Sequence, residues 1–405
     1  MIQKRIAFFL LAIAVPMVAF ATPTAEEEVT LNLVMYGTEP QRYEALYDAY
    51  EAVNPNVTVD WELSNEPAYL LSRINAGDFP DAWMEGVIST INDMDDEGYL
   101  HDYSGDAFID KMIPLTLEHT TRDGRVVGVP SGIQGYGMIY HKDLFEQAGI
   151  TNVPLTLDEL EAVCEQLVAA GITPFETGFG DSWIVRMIYS ESIGAELPDD
   201  SILAISRGER TFADLDSTDG FFRLLRMMEE YSKGPVLDSF YNDQMTKMAT
   251  GEAAMIHNGD WAEASIGDIA TGVNIGFFAT PVSDNPADAQ LAVSPAAFWL
   301  THKDGDNVDA VVDLIGWKLT EPEGMEFMSQ TFNVPAIDGP VPDGPLRAEI
   351  LRYVVEGRGR GWSWQNFWPN GWHDTVQRMS HEWLLGEKSD DEFLAALQAS
   401  WDDLK

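Results

Sequence analysis

Cysteine is nearly absent from this sequence of 405 residues, in which Cys164 is the only one. A single cysteine cannot form a disulfide within the chain, so no covalent cross-link stabilises the fold. A reactive thiol needs a positively charged neighbourhood, but Glu161 and Glu165 flank this residue in the sequence. We therefore predict a buried structural cysteine rather than a catalytic one.

Positive charge is also scarce. The chain has 24 lysine and arginine residues against 67 aspartate and glutamate residues, which gives a net charge of −43 at pH 7. Such a surface repels nucleic acid and anionic membranes, so the sequence excludes binding to either through a basic patch. The even spread of acids suggests the hypothesis of a protein kept soluble in concentrated salt, where screening removes self-repulsion.

Motifs for metal-dependent or nucleophilic catalysis are missing as well. The 7 histidines are scattered, and neither H-E-x-x-H nor G-x-S-x-G occurs. The sequence therefore contains no motif for zinc catalysis or for a catalytic triad. The segment GRGRG at 357–361 lacks the spacing of a dinucleotide-binding loop. His257 is interpreted as a structural histidine. We expect no cofactor, no metal ion and no enzymatic activity.

Long apolar runs are confined to the first 21 residues. Lys4 and Arg5 precede an apolar run that ends in AFA, a small-x-small cleavage pattern whose last residue is Ala21. Thr22 follows where a lipoprotein would need cysteine. The sequence predicts a signal peptide cleaved after Ala21 and a periplasmic protein with no stable membrane anchor.

The periodicity of apolar residues predicts alternating strands and helices. VTLNLVMYG (29–37) indicates a strand, a helical pattern follows, VTVDWEL (57–63) alternates as a second strand, and a second helix ends at Gly77. This order is typical of a βαβ unit and a largely parallel sheet. Further helices are predicted over 157–171, over 219–234, over 307–330 with a break at Glu321-Pro322, and after Ser389 as N-cap. Two α/β domains fit this length.

The stretch GEAAMIHNGDWAEASI (251–266) places a tryptophan directly after a turn signal. We predict a buried strand over 253–257, a turn at Asn258-Gly259, and a helix whose start is capped by Asp260 and Glu263. Trp261 then lies in the first turn of a helix just beyond the carboxyl end of a strand, where ligands bind in open α/β sheets. The alternative is that Trp261 only packs on its own helix.

Aromatic residues supply the case for a carbohydrate ligand. The chain has 12 tryptophans, and a sugar ring is held by an aromatic plate under its C–H face with planar polar groups around its hydroxyls. Such polar residues occur near tryptophans in several places: Asn65 near Trp61, Asp81 near Trp83, Asp181 near Trp183, and Asn258 and Asp260 near Trp261. Trp61, Trp317 and Trp401 are interpreted as core. A shortage of arginine and lysine argues against a small inorganic or strongly anionic ligand.

The segment GWSWQNFWPNGWH contains Trp362, Trp364, Trp368 and Trp372 within 11 residues. Its spacing fits neither a helix face nor a strand face, and it contains two glycines and a proline. We therefore predict a loop, on which exposed aromatic side chains indicate a binding role.

Five segments, in order, resemble motifs of the bacterial extracellular solute-binding proteins, the sugar-binding receptors of ATP-binding-cassette importers. GEAAMIHNGDW is similar to F-x-x-G-x-A-A-M-x-x-x-G-x-W, with Met248 in the place of the phenylalanine. MIYHKDLFEQAGITNVPLTLDEL is similar to the Y-N-K-D-L-F-E-x-A-G block followed by P-x-T-x-D-E-L, with His141 for asparagine and Leu157 for tryptophan. DGRVVGVPSG, NAGDFPDAW and DLIGWKLTEPEGMEFM resemble three further family segments.

The resemblance implies an α/β, two-lobed periplasmic binding protein fold of type II, with the ligand cleft between the lobes. After a signal peptide at 1–21, the expected lobes are 22–132 plus 294–333 and 133–293 plus 334–405, with crossings near 131–136, 290–295 and 331–336. The implied partners are a small carbohydrate and an inner-membrane ABC permease, and a monomer is expected.

The resemblance also implies site residues. Family position indicates the loop after the first strand, with Thr38 and Glu39, and the positions Gln134 and Tyr136 near a crossing. The C-terminal segment resembles one that lays an aromatic ring on the sugar, for which Trp364, Trp368 and Trp372 are candidates, the last two favoured. The predicted ligand-binding residues are Thr38, Glu39, Asn65, Asp81, Trp83, Gln134, Tyr136, Asp181, Trp183, Asn258, Asp260, Trp261, Trp364, Trp368 and Trp372.

Two other functions stay open on the sequence. A receptor of the same fold could bind a polyol or another osmolyte that is not a sugar. A secreted glycoside hydrolase would also need tryptophans and acids. Because the chain has 67 acids, close pairs of carboxylates are unavoidable and do not distinguish a hydrolase from a sugar receptor.

Overall fold

The computed structural model describes residues 28–35, 40–64, 67–196, 204–295, 297–331, 334–337, 344–362, 368–369 and 371–404. These residues form two five-stranded sheets and a short hairpin, with helices packed around them. The strands are β1 (Val29–Met35), β2 (Val57–Leu63), β3 (Ala82–Glu85), β4 (Thr121–Arg122), β5 (Arg125–Val126), β6 (Val129–Pro130), β7 (Ile133–His141), β8 (Met255–Gly259), β9 (Ile275–Phe278), β10 (Leu291–Pro295), β11 (Phe298–Thr301) and β12 (Gly359–Arg360).

Helices precede and follow most of these strands. The α-helices are α1 (Pro40–Val53), α2 (Pro67–Asn75), α3 (Ile88–Asp96), α4 (Pro114–Leu117), α5 (Lys142–Gln147), α6 (Leu157–Ala169), α7 (Ser182–Glu196), α8 (Ser217–Glu230), α9 (Tyr241–Thr250), α10 (Ala262–Ile269), α11 (Val308–Thr320), α12 (Pro322–Thr331), α13 (Pro345–Val355), α14 (Trp372–Leu384) and α15 (Asp390–Asp403).

The first sheet begins with the predicted βαβ unit. β1 pairs in parallel with β2 along its whole length and in parallel with β3 at its end. In β2 the buried Val57 and Val59 alternate with the exposed Thr58 and Asp60, because successive side chains of a strand point to opposite faces. β11 and β6 join in antiparallel orientation, which gives the order β2-β1-β3-β11-β6.

The second sheet is built around β7. β10, β8 and β9 all pair with β7 in antiparallel orientation, and β12 pairs in parallel with β10. The prediction of a largely parallel sheet therefore describes β1 to β3 only. The antiparallel partners of β7 come from distant parts of the chain, so no local sequence pattern predicts these pairings.

Three stretches of chain lie side by side between the two sheets. β6 ends at Pro130 in the first sheet and β7 begins at Ile133 in the second, while β10 ends at Pro295 in the second sheet and β11 begins at Phe298 in the first. Ser131 N–H donates to the carbonyl of Ala297 at 2.9 Å. Val334 forms the third stretch and exchanges backbone hydrogen bonds of 2.7 and 3.2 Å with Ile133.

Several local predictions are confirmed. Helix α15 starts after Ser389, whose hydroxyl accepts from the N–H of Glu392 at 3.3 Å while the Glu392 carboxylate accepts from the N–H of Ser389 at 2.9 Å. Helices α11 and α12 are separated at Glu321-Pro322. Cys164 lies fully buried on α6, where burial raises the pKa of the thiol. The cysteine is therefore protonated and unreactive.

A buried lysine lies in the core beside the first sheet. The ammonium of Lys318, on α11, is 3.4 Å from the ring centroid of Trp299, and the residue is almost completely inaccessible to solvent. Burial lowers the pKa of this ammonium well below its ordinary value. The aromatic face partly replaces the water that the cation loses.

Candidate ligand-binding site

A pocket of about 190 Å³ lies where β7 leaves the crossing between the sheets. Gln134 and Tyr136 of β7 form one wall. The other lining residues come from α7, from the start of α10 and from the segment after β12, and they are Trp183, Arg186, Met187, Trp261 and Trp362. The structure thus brings four predicted residues together: Gln134, Tyr136, Trp183 and Trp261.

Trp261 reaches this pocket because of a close approach to glycine. β8 extends to Gly259, so Asn258 and Gly259 end the strand instead of forming the predicted tight turn. Trp261 is the N-cap residue of α10, and its indole folds back over Gly259. A Cβ atom at Gly259 would lie 2.1 to 2.4 Å from three atoms of the ring. Only glycine leaves room for the indole, which explains why the bulky tryptophan follows so closely.

Four of the seven described residues that line the pocket are aromatic. The ring centroids of Trp183 and Trp261 are 6.3 Å apart at an interplanar angle of 49°, and those of Tyr136 and Trp362 are 5.2 Å apart at 41°. The Tyr136 hydroxyl donates to Ser190 Oγ at 3.0 Å. Burial raises the pKa of the Tyr136 phenol, which therefore stays neutral. Rings in this arrangement can cover the apolar faces of a small ligand.

Helix α7 contributes three pocket residues from one face. Trp183, Arg186 and Met187 are three and four residues apart, the spacing that aligns side chains along a helix. Arg186 is the one charged residue among the described residues that line the pocket. Burial lowers the pKa of its guanidinium to about 10, and nearby Tyr136 and Asp374 act in the opposite direction. Arg186 therefore remains protonated at neutral pH and makes one side of the pocket positive.

Asn258 and Asp260 were predicted to contact ligand, but they hold the backbone beneath the pocket. Asn258 is fully buried, and its Nδ2 donates to Gln244 Oε1 at 2.6 Å while its Oδ1 accepts from the N–H of Gly259 at 2.8 Å. Asp260 Oδ1 accepts from the N–H of Gly135 at 3.2 Å, which ties the start of α10 to β7. Neither side chain lines the pocket.

The environment of Asp260 differs from that of a helix cap. Desolvation raises the pKa of its carboxyl well above the ordinary value, and the hydrogen bond from Gly135 acts in the opposite direction. The carboxylate of Glu263, expected to complete a capping pair with Asp260, accepts instead from the N–H of Leu346 at 3.2 Å. These two acids therefore connect α10 to β7 and to α13 rather than capping α10.

Buried polar residues next to the pocket are paired with each other. His257 and Glu191 are both fully buried, with 2.6 Å between Nε2 and Oε2, in agreement with a structural histidine. Asp181, predicted to bind ligand, has an oxygen that accepts from the N–H of Tyr241 at 2.7 Å, at the first residue of α9. Asp181 thus stabilises the start of a helix beside Trp183.

Asp81 and Trp83, which the sequence predicts to bind ligand, are not among the residues that line this pocket. Trp83 is fully buried on β3 in the core beside the first sheet. Asp81 Oδ2 accepts from the N–H of Asn32 at 2.8 Å, and both Asp81 oxygens accept from Asn307 Nδ2 at 3.3 Å. Asp81 therefore joins β1 to the residue that precedes α11, and Trp83 packs in the core beside the same sheet.

Trp368 and Trp372, the favoured C-terminal candidates, also lie in a core. The Trp372 ring is stacked 4.9 Å from Phe212 and lies edge-on to Trp401 at 4.9 Å, and its Nε1 donates to the carbonyl of Leu397 at 3.1 Å. Trp368 is buried 4.7 Å from it. Trp372 begins helix α14, so the predicted loop ends earlier than expected. Trp362, from the same cluster, lines the pocket.

Some predicted residues cannot be placed, and some pocket residues were not predicted. Thr38, Glu39, Asn65 and Trp364 lie outside the described residues. Arg186 and Met187 were missed, although their spacing from Trp183 on a predictable helix face was a usable signal. Trp362 was noted only as a member of the cluster, and nothing in its local sequence separates it from its neighbours.

Two absences are found among the described residues. Within the residues that the structure describes, no group of three or more histidine, cysteine, aspartate or glutamate side chains is arranged to hold a metal ion. In the same residues, every helix is too short or too polar to cross a bilayer.

The two-sheet fold is that of the type II solute-binding proteins, as solved structures show. A structure of a chitin oligosaccharide binding protein superposes with a TM-score of 0.79 at 23% identity over 93% of this chain and 99% of the other. A solute-binding protein in complex with raffinose gives 0.78 at 20% identity over 93% and 100%.

The sequence profile of the bacterial extracellular solute-binding proteins matches residues 36–326, and the chain belongs to this family. It is 23% identical to the maltotriose-binding protein of Pyrococcus abyssi over 330 residues, 79% of this chain and 68% of that protein. It is 24% identical to the multiple sugar-binding protein of Streptococcus mutans over 282 residues, 64% of each. Binding proteins of Brucella abortus and Brucella suis are 32% identical over 169 residues, and the match spans 40% of their length.

Proposed function

We propose that this protein is a periplasmic receptor that captures a mono- or oligosaccharide and delivers it to an ABC-type importer. The observation that carries the proposal is the convergence of Trp183, Trp261 and Trp362 on one pocket of about 190 Å³ beside the crossing segments. Indole faces cover the C–H faces of a sugar, while Gln134 and Arg186 offer donors to its hydroxyls. The names of the maltotriose-binding and multiple sugar-binding relatives point to the same ligand class.

We further propose that binding occurs by closure of two lobes, residues 22–132 plus 294–333 and residues 133–293 plus 334–405. Each lobe contains one sheet, except that residues 294–295 at the end of β10 fall within the bounds of the first lobe. The connections between the sheets are short: 131–132 between β6 and β7, and 296–297 between β10 and β11. A ligand that contacts both lobes favours the closed arrangement over the open one. A cavity of about 320 Å³ borders these segments and is lined in part by Ile133, Pro295 and Val334.

The lining of the pocket favours a receptor over a glycoside hydrolase. Hydrolysis of a glycosidic bond generally needs two carboxyl groups facing the scissile bond. The described residues that line the pocket include no aspartate or glutamate. Asp260 and Glu191 are nearby but are held by Gly135 and His257.

The test is a titration of residues 22–405 with a panel of mono- and disaccharides, followed by tryptophan fluorescence and calorimetry. The same samples are analysed by chromatography after a day. We expect saturable binding with the sugar recovered intact. Cleaved sugar would establish a hydrolase instead, and binding of polyols without sugars would establish a non-sugar receptor.

Variants assign the binding to the pocket. Trp261→Ala and Trp362→Ala should each weaken binding by about tenfold to a hundredfold, the loss typical of a central aromatic contact. Trp317→Ala is the matched control, because Trp317 packs against Tyr50 on α1 at a ring distance of 5.3 Å and does not line the pocket. Equal affinity of all three variants would contradict the assignment.

A further inference from the structure

Trp183 and Trp261 reach the pocket from separate parts of the chain. Trp183 is the second residue of α7, directly after the loop 176–181, and Trp261 follows the end of β8. Their ring centroids are 6.3 Å apart. Rings at this distance contact each other, so the two indoles form one continuous surface rather than two plates on opposite sides of a ligand. The shape of that surface therefore depends on the residues that hold the two segments at a fixed separation.

A single buried side chain bonds to both segments. Gln244, on α9, is fully buried and does not line the pocket. Its Nε2 donates to the carbonyl of Thr177 at 2.9 Å, in the loop before α7, and to the carbonyls of Glu176 and His257 at 3.3 Å each. Its Oε1 accepts from Asn258 Nδ2 at 2.6 Å, near the end of β8. One amide therefore joins the segment before α7 to the segment before α10.

The loop before α7 packs directly on this amide. Gly178 has a φ of +66°, and a Cβ atom there would lie 2.7 Å from Gln244 Cδ and 2.9 Å from its Nε2. Glycine tolerates both the positive φ and the close approach. The N–H of Gly178 donates to Ser239 Oγ at 2.9 Å, and the N–H of Gly180 donates to the carbonyl of Ser239 at 2.7 Å. Residues just before α9 therefore hold the same loop.

The first residue of α9 makes a second link between the segments. The N–H of Tyr241 donates to Asp181 at 2.7 Å, and the Tyr241 ring centroid is 6.0 Å from that of Trp183. The Tyr241 hydroxyl is 2.9 Å from Ser265 Oγ on α10. Tyr241 and Gln244 are three residues apart, a spacing that places both on one face of a helix. This face of α9 therefore contacts the segments of both tryptophans.

We propose that α9 sets the separation of the Trp183 and Trp261 rings, and that Gln244 is the positioning residue through which it acts. The inference rests on the proposed function, because the ring separation then determines how well the aromatic surface fits a sugar. Loss of the amide would deprive buried Asn258 Nδ2 and the Thr177 carbonyl of this partner, which is unfavourable in the absence of water. The two segments would then move apart to let water reach these groups, and the shape of the pocket would change.

Fluorine NMR tests the positioning without any ligand. The 12 tryptophans of residues 22–405 are labelled as 5-fluorotryptophan, and the resonances of Trp183 and Trp261 are those that disappear in Trp183→Phe and Trp261→Phe. Gln244→Met keeps the length of the side chain but removes the amide. We expect this change to shift the two assigned resonances by more than any other tryptophan resonance.

Leu160→Ala is the matched control for general loosening of the fold. Leu160 is fully buried near the start of α6 and does not line the pocket. Its truncation leaves a cavity and destabilises the protein, but it removes no hydrogen bond between the two segments. The Trp183 and Trp261 resonances should stay in place. For a sugar that the native protein binds, calorimetry should show about tenfold weaker binding in Gln244→Met and a change within about threefold in Leu160→Ala.

Tyr241→Phe provides a milder change for the case in which Gln244→Met does not fold. Tyr241 is only partly buried, and the variant removes just the hydroxyl that faces Ser265. We expect smaller shifts of the same two resonances. Unchanged positions of both resonances in this variant would overturn the proposal.

The outcomes separate this inference from the proposed function. Unchanged Trp183 and Trp261 resonances in folded Gln244→Met, or equal shifts in Leu160→Ala, would overturn the positioning role whether or not the protein binds sugar. Shifted resonances with unchanged sugar affinity would show that the ring separation does not govern binding, which also overturns the inference. If the native protein binds no sugar, the proposed function fails, while the resonances alone still decide whether α9 positions the two rings.

Discussion

Replacing Trp372 by alanine tests whether this residue belongs to the core or to the ligand site. Trp372 is fully buried against Phe212, Trp401 and Trp368, and its Nε1 donates to the carbonyl of Leu397. Removing a buried tryptophan costs about 3 to 5 kcal/mol, and the orphaned Leu397 carbonyl adds about 1 kcal/mol. We therefore expect Trp372→Ala to lower the free energy of unfolding by about 4 to 6 kcal/mol.

This loss is a large fraction of the free energy of unfolding of most proteins, which is about 5 to 15 kcal/mol. At about 2.1 cal/mol/K per residue, the entropy of unfolding of a 405-residue chain is about 0.85 kcal/mol/K, so this loss should lower Tm by roughly 5 to 7 °C. Circular dichroism during thermal and urea unfolding measures the change without relying on tryptophan fluorescence. Sugar affinity is measured on the same preparation, at a temperature where the variant is folded.

Trp261→Ala is the matched comparison, because Trp261 is only partly buried and borders the pocket. It should weaken binding by about tenfold or more with a change of less than about 2 kcal/mol in unfolding free energy. The opposite pattern would refute the reasoning: unchanged unfolding of Trp372→Ala together with weakened binding would place Trp372 in the ligand site, as the sequence predicts.

Three further predictions concern single groups. Gly259→Ala should displace the Trp261 indole and weaken sugar binding by about tenfold in calorimetry, whereas Gly267→Ala, on α10 with nothing within 4 Å, should leave binding unchanged. The pKa of Lys318 is lowered in the folded state, so below pH 10.5 the unfolded chain binds more protons than the folded chain. The free energy of unfolding should therefore rise from neutral pH towards pH 10.5. Urea unfolding of the native protein should show this rise, and Lys318→Met should show a less steep one. The pKa of Asp260 is raised in the folded state, so above pH 3.8 the folded chain binds more protons than the unfolded chain. The free energy of unfolding should therefore fall as the pH rises through the folded-state pKa. Urea unfolding of Asp260→Asn should lack this fall.

Local elements were predictable because their signals are local. The strand at Val57–Leu63 follows from the alternation of apolar and polar residues, and the start of α15 follows from Ser389 and Glu392. The segment around β8 was predicted two residues too early, at 253–257 instead of Met255–Gly259. Asn-Gly suggested a turn, but the pairing of Asn258 with Gly137 and of Gly259 with Tyr136 extends the strand.

The candidate site was predictable only in part, because tryptophans of the core and of the pocket have similar sequence surroundings. Trp261 and Trp372 both begin helices after a glycine-containing segment. Trp372 is followed by Val376 and Met379, buried on the same helix face, and this apolar spacing was a sign of the core. Its contacts with Phe212 and Trp401 join separate segments of the chain and have no sequence signature.

The position of β11 determines when the protein can fold. Trp299 pairs with Met84 on one side and with Val129 on the other, so a late strand fills a gap between two early ones. The first sheet cannot be completed until the chain has been synthesised through Thr301, and contacts between such distant segments form slowly. The first sheet therefore cannot fold before the second sheet's strands have been synthesised. A chain cut between β10 and β11 should yield no independently stable domain.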